Sequence, residues 1–219
     1  MARKIEERER VLASFLDENA DALGLACHAM ARSFAAGGTL VAGGTGAAAT
    51  DAAHVAVEFM HPVIVGKRSL PALVSPELAR HGDIALGLVH GGRDPEVEEL
   101  LARPGLLTIA LTGPERIDAD FSFSVDSDDR ALVQEVQETA YHVLWELVHV
   151  FFEHPGLLAD ACITCGDVAV EARVVAVSEQ TATIELDGAR EQVAVDLVEG
   201  VAVGDTLLCH AGVALERVG

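Results

Sequence analysis

Basic residues are scarce: 15 Lys and Arg stand against 35 Asp and Glu, a formal net charge of −20 over 219 residues. A field of that sign repels phosphodiester backbones and anionic headgroups, which excludes a nucleic-acid binder and a lipid-surface binder. Long hydrophobic runs are also missing. Each apolar stretch is broken by charge, His or Gly well before the roughly 20 residues that a membrane span needs. The opening Met1-Ala2-Arg3-Lys4, followed by Glu6, Glu7 and Glu9, lacks the apolar segment of a signal peptide, so the expected compartment is the cytoplasm. Cysteine is rare as well. Cys27, Cys162, Cys165 and Cys209 are too few and too unevenly placed for a disulfide scaffold. Three of them crowd the last 60 residues, which in a reducing compartment leans towards metal binding or thiol chemistry. No internal repeat is present, and the only biased stretch is the Ala/Gly-rich segment 42–53.

What is present is ample core material, 50% apolar, in two styles that change near Pro155-Gly156. Residues 3–36 predict a helix, with Val11, Phe15, Leu23 and Leu25 as apolar positions and Gly37-Gly38 as its stop. Thr39-Leu40-Val41-Ala42 reads as a buried strand running into Gly43-Gly44-Thr45-Gly46, then a helix from Ala47 to Met60 ended by His61-Pro62. Further strands are expected at Ser69–Ser75, Asp83–His90, Leu106–Thr112 and Phe121–Val125, with a helix at Asp94–Ala102 and a long closing helix from Arg130 to about Glu153. Alternation of this kind predicts an α/β unit, a parallel sheet covered by helices on both faces. The tail reads differently. Val168–Val177, Thr181–Leu186, Glu191–Leu197 and Thr206–Leu215 are strand candidates joined by Asp187-Gly188, Glu199-Gly200 and Gly204-Asp205, the pattern of a small closed β-barrel. The expected division is residues 1–154, a linker at 155–160 and a barrel domain at 161–219.

Two constellations carry chemistry. A glycine loop between a buried strand and a helix can bind an anion through free backbone N–H groups, or it can simply let the helix pack closely. Gly43-Gly44-Thr45-Gly46 occupies that position, and no Lys-Ser/Thr follows to make it a P-loop. His54 and Glu58 share a face of the next helix, four residues apart. On the closing helix Gln134, Glu138 and His142 form a polar stripe, which buried would need partners and exposed would be a solvated face. In the tail, Cys162-Ile163-Thr164-Cys165 and Cys209-His210 offer metal-type donors. In a strand, however, Cys209 and His210 would point to opposite faces. The alternative for Cys209 is a small buried hydrophobe.

Residues 38–149 resemble the sugar isomerase (SIS) domain, in particular the phosphoheptose isomerase branch, whose first loop and helix read G-N-G-G-S-x-x-D-x-x-H-x-x-x-E. The matching residues are Gly44, Thr45, Gly46, Asp51, His54 and Glu58. On the closing helix, Gln134-Glu135-Val136 followed by His142 keeps the family spacing. The resemblance implies a five-stranded parallel sheet flanked by helices. It also implies zinc held by His54, Glu58, Gln134 and His142, acid–base roles for Glu58 and His142, and a homotetramer or homodimer. Eight helical residues span roughly 12 Å, so one ion reaching both Gln134 and His142 would need a bend or a second subunit. Two departures stand out. The loop serine that grips phosphate is replaced by Ala48, and the later S-T-S-G-x-S loop by Val89-His90-Gly91-Gly92-Arg93-Asp94. His90 and Arg93 are then the ligand-binding candidates of that loop, and ordinary phosphoheptose isomerase activity is not expected.

Residues 161–218 resemble the HypC/HupF family of nickel-iron hydrogenase assembly chaperones, with an OB-like β-barrel. The resemblance rests on Cys162, on Arg173-Val174-Val175-Ala176-Val177, and on the closing Gly204-Asp205-Thr206-Leu207-Leu208-Cys209-His210-Ala211-Gly212. It implies that Cys162 and His210 handle an iron unit with cyanide and carbonyl ligands. The implied partners are a maturation scaffold protein and a hydrogenase large-subunit precursor. Here the cysteine is internal, with Ala161 before it, and Cys165 has no counterpart. The barrel keeps both anchors while the first unit loses its phosphate serines. That asymmetry favours a hydrogenase maturation factor over the alternative, a zinc-dependent aldose–ketose isomerase acting on a sugar phosphate.

Overall fold

A computed structural model describes residues 2–154, 158, 169–178, 180–186, 188–210 and 212–218. It divides into two compact units, Met1–Val150 and Phe151–Gly219. The linker expected at 155–160 lies, apart from residue 158, outside the described residues.

The first unit opens with α1 (Ala2–Ala35) and continues through β1 (Leu40–Gly43), α2 (Ala48–Met60), β2 (Ala72–Leu73), a 3₁₀ turn at Pro76–Leu78 and β3 (Ile84–Leu88). After these come α3 (Pro95–Leu101), β4 (Leu107–Thr112), β5 (Phe121–Ser124) and α4 (Arg130–Glu153), whose last three residues fall past this unit's boundary at Val150. The five strands form one sheet in the order β2-β1-β3-β4-β5, and every pairing in it is parallel. All residues of β1 and β3 are buried, as a central strand covered on both faces requires. The segment read as a strand over Ser69–Ser75 pairs at only two residues, Ala72 and Leu73. This edge strand has one neighbour, and Pro71 just before it and Pro76 just after cannot donate to a ladder.

The two faces are covered by different helices. Val41, Ala85 and Ala110 form one core with Val97, Leu100 and Leu101 of α3. Right-handed crossovers running in opposite directions from the sheet centre put α2 and α3 on opposite faces. On the α2 side, Phe34 of α1 stacks on Phe59 of α2 at 5.7 Å between ring centroids. Cys27 of α1 meets the Leu144 carbonyl of α4 at 3.8 Å. Glycine is required where α3 comes closest. A β-carbon on Gly87 would stand 2.5 Å from Val97 Cγ1, and one on Gly43 would stand 2.7 Å from Leu100 Cδ2.

The second unit is a closed five-stranded barrel of β6 (Val170–Val177), β7 (Thr181–Leu186), β8 (Ala189–Ala194), β9 (Thr206–His210) and β10 (Val213–Val218). Its strand order is β10-β8-β7-β6-β9, closed by the β9–β10 pair. The run expected as one strand over Thr206–Leu215 is in fact a hairpin, turning through Gly212, whose φ of +77° suits glycine. Aliphatic residues and one cysteine fill the interior: Ala172, Val174, Ala182, Ile184, Val193, Leu207, Cys209 and Ala214 form its core. Among the described residues, no helix is long and apolar enough to cross a membrane.

Candidate functional site

The glycine loop leaves the C-terminal end of β1 and folds tightly onto α2. A β-carbon on Gly44 would lie 2.7 Å from the Ala48 carbonyl oxygen, and Gly46 takes a left-handed φ of +59°. Ala48 is buried beneath the loop. Thr45 reaches across to the β3–α3 loop, where its hydroxyl donates to Asp94. Asp94 also caps α3, accepting from the Glu96 and Val97 amides. Arg93, singled out as an anion partner, is engaged elsewhere. Its guanidinium makes two hydrogen bonds to Glu98, at 2.7 and 2.5 Å, and these hold the Glu98 carboxyl below its ordinary range.

Behind the loop, three of the expected residues converge. Asp51, in the first turn of α2, is buried. Its Oδ1 accepts from Gln134 Nε2 at 3.0 Å, and its Oδ2 lies 2.6 Å from His90 Nε2. The His90 contact has ion-pair distance but not the alignment of a hydrogen bond, so both atoms lack an aligned partner among the described residues. The sequence pattern singled out all three residues without revealing that they form one group.

Further along α2 and α4 lies the second group. One donor atom each from His54, Glu58 and His142 falls within 4.8 Å of the others. His54 Nε2 faces Glu58 Oε1 at 3.2 Å. The His54 and His142 rings meet edge-on at 5.2 Å between centroids. Two imidazoles and a carboxylate converging from packed helices suit zinc, and three protein ligands leave a position open. The residues therefore fit the metal that the SIS resemblance implies. Gln134, the fourth residue of that set, is directed to Asp51. Helix α4 runs from Arg130 to Glu153 without a break, so no bend folds Gln134 back towards His142.

Sequence reasoning overlooked two residues here. Tyr141 is buried, and its hydroxyl lies 3.0 Å from His54 Nδ1. Burial first, and then the Glu138, Asp51 and Glu58 charges, push its phenol upward and keep it protonated. As the chain's one tyrosine, next to His142, it offered a weak signal. Trp145 donates from Nε1 to the Glu58 carbonyl oxygen at 2.8 Å and fixes the backbone beneath that carboxylate.

In the barrel, Cys209 and His210 follow each other on β9 and face opposite ways. Cys209 is fully buried, and burial, followed by the Glu191 charge, raises its thiol to about 11. It serves as a core residue. His210 belongs to the other face, pairs with Val213 across the hairpin, and has a buried Nδ1 without a hydrogen-bond partner among the described residues. Cys162 and Cys165 lie outside the described residues.

The fold and its His/Glu/His group define an SIS-type α/β unit joined to a small β-barrel. Comparison with known proteins agrees. The chain is 30% identical over 182 residues to the phosphoheptose isomerase of Thermodesulfovibrio yellowstonii, covering 68% of this chain and 90% of that protein. It is 30% identical over 184 residues to that of Solidesulfovibrio magneticus, covering 70% and 90%. The solved phosphoheptose isomerase from Neisseria gonorrhoeae superposes with a TM-score of 0.60 at 18% identity, over 68% of this chain and 96% of that one; at that identity it speaks for the fold alone. Residues 168–219 match the HupF/HypC family. The chain thus belongs to the phosphoheptose isomerase family and carries a HupF/HypC-type domain fused behind its SIS unit.

Proposed function

We propose that the protein is a nickel-iron hydrogenase maturation factor. Its barrel holds or delivers an iron unit bearing cyanide and carbonyl, and its SIS unit binds metal and a small ligand and brings copies of the chain together. The HupF/HypC match over 168–219 carries this reading, together with a His210 whose buried Nδ1 has no hydrogen-bond partner among the described residues. A thiolate from Cys162 and the His210 imidazole are soft and intermediate donors suited to low-spin iron. The partners are a maturation scaffold protein, which passes on the iron unit, and a hydrogenase large-subunit precursor, which receives it.

In the SIS unit, His54, Glu58 and His142 would hold zinc, which when bound supplies Lewis-acid polarisation of a ligand oxygen. Tyr141 orients His54, and Trp145 anchors the Glu58 backbone. The grouping of Glu58 with His142 favours a second reading, a phosphosugar isomerase in which this pair moves protons between neighbouring carbons. Against it stand Ala48 and the hydroxyl-free loop 89–94, which offer no serine to grip a phosphate.

The test is an infrared spectrum of protein purified anaerobically from its own host, beside Cys162→Ala and His210→Ala. Cyanide and carbonyl stretches are expected in the unaltered chain and not in the variants. Normal hydrogenase activity in a Cys162→Ala strain lacking paralogues would overturn the proposal. Turnover of a sugar phosphate that is lost in Glu58→Gln would favour the isomerase reading.

A further inference from the structure

The strand order reverses direction at β1: the chain passes from β1 out to β2, and from β3 outward to β4 on the other side. At such a switch point the loops leaving the strands separate, and a crevice opens at the strands' carboxyl ends. A cavity of about 420 Å³ lies there, between the Thr45–Ala48 turn, the His90–Gly91 loop and the first turns of α4. That volume lies within the range of small-ligand sites.

Two guanidinium groups line this cavity, Arg93 and Arg130. Arg93 is neutralised by its paired contacts with Glu98. Arg130, the first residue of α4, makes no ion pair among the described residues. It lies across Gly91, so close that a β-carbon there would stand 3.3 Å from Nε and 3.4 Å from Cγ. The lining acid, Asp94, already accepts from Thr45, Glu96 and Val97. His90, only 9% exposed, lines the same cavity with Nε2 lacking an aligned hydrogen bond. One uncommitted cation and one underused buried imidazole thus face a crevice from which side-chain hydroxyls have largely gone.

We infer that Arg130 is the anchor by which this crevice holds the oxyanion of a small ligand, a phosphate monoester or a carboxylate. The guanidinium fork supplies the paired donors that a serine loop would otherwise provide. This rests on reading the SIS unit as ligand-binding. Gly91 gives the Arg130 side chain close room over the loop, since a β-carbon there would press on it at 3.3–3.4 Å.

The test is calorimetric titration of the full chain at low salt with inorganic phosphate, glucose 6-phosphate and gluconate. Replacing a charge-assisted pair should weaken binding of the preferred anion about tenfold or more in Arg130→Gln, and less in Arg130→Lys. Gly91→Ala, which keeps the charge and shifts it by a few tenths of an ångström, should weaken binding less than Arg130→Gln, while Arg93→Gln should change it by less than about twofold. Preference for the phosphates or for gluconate identifies the oxyanion. The inference is overturned if none of the three binds at millimolar concentration, or if Arg130→Gln binds the preferred anion within about twofold of the parent. Zinc content and hydrogenase activity, measured on the same variants, separate this failure from failure of the proposed function. Intact maturation without anion binding sinks only the present inference, and intact anion binding without maturation sinks only the other.

Discussion

Replacing Tyr141 by Phe removes one oxygen from a buried position and leaves the ring packed as before. That oxygen lies 3.0 Å from His54 Nδ1, while the opposite ring nitrogen faces Glu58 at 3.2 Å. An imidazole that ligates through Nε2 must carry its proton on Nδ1, and here the proton's acceptor is the Tyr141 oxygen. Without it the Nδ1 proton loses its partner at a half-buried imidazole, 38% exposed, where the cost is towards the lower end of about 1–3 kcal/mol. At about 1.4 kcal/mol per factor of ten, that corresponds to zinc affinity lower by about tenfold, the low end of the usual effect of losing a group that orients a ligand. Competition against a chromophoric chelator, run beside urea unfolding of the metal-free chain, measures both quantities. Tyr141→Phe should weaken zinc binding strongly while remaining folded, and His54→Ala should weaken it further. Affinity within about twofold of the parent in Tyr141→Phe, with His54→Ala still impaired, would refute the orienting role. Unchanged affinity in both would remove His54 from the ligand set.

Gly87→Ala should destabilise the first unit by about 1–3 kcal/mol, as overpacking does. The added carbon would press on stiff, β-branched Val97 rather than on a movable side-chain end; a urea midpoint equal to or above the parent's would contradict this. Cys27 predicts an alkaline limb in the stability profile. Burial raises its thiol from 9.0 to about 12, so between those pH values the unfolded chain releases a proton that the folded chain keeps. Stability therefore falls by up to roughly 1.4 kcal/mol per pH unit across that window. Cys27→Ala should flatten this limb in denaturant titrations, and an unchanged slope would show that other groups cause it.

The fold was legible wherever burial imposed a period. The fully apolar strands β1 and β3 and the long helix from Arg130 to Glu153 stood out, because a core-facing element must repeat its pattern. Ala72–Leu73 was harder, since an edge strand needs little pairing and apolar residues continue past it. The turn inside Thr206–Leu215 was masked by apolar residues on both sides, with a single glycine to mark it. His54 and Glu58 stood out by their spacing on one helix, but only the SIS resemblance named them together with His142. Their partners were not legible. The binding of Gln134 to Asp51, and the commitment of Arg93 to Glu98, depend on how two helices and a loop meet in space. Arg130 had no signal at all: an arginine at a helix start acquires meaning only when a glycine 39 positions earlier in the chain lies beneath it.

Helices α2 and α4 are tied at successive heights, by Asp51 to Gln134, His54 to Tyr141 and the Glu58 backbone to Trp145. These ties act like the teeth of a single zip. Sliding one helix past the other by one turn, about 5.4 Å, would undo every tooth at once. The wall of the crevice beside Gln134 and the scaffold of the His54, Glu58 and His142 group therefore share one pair of helices, and the spacing between the two is set by the rise of a single unbroken helix.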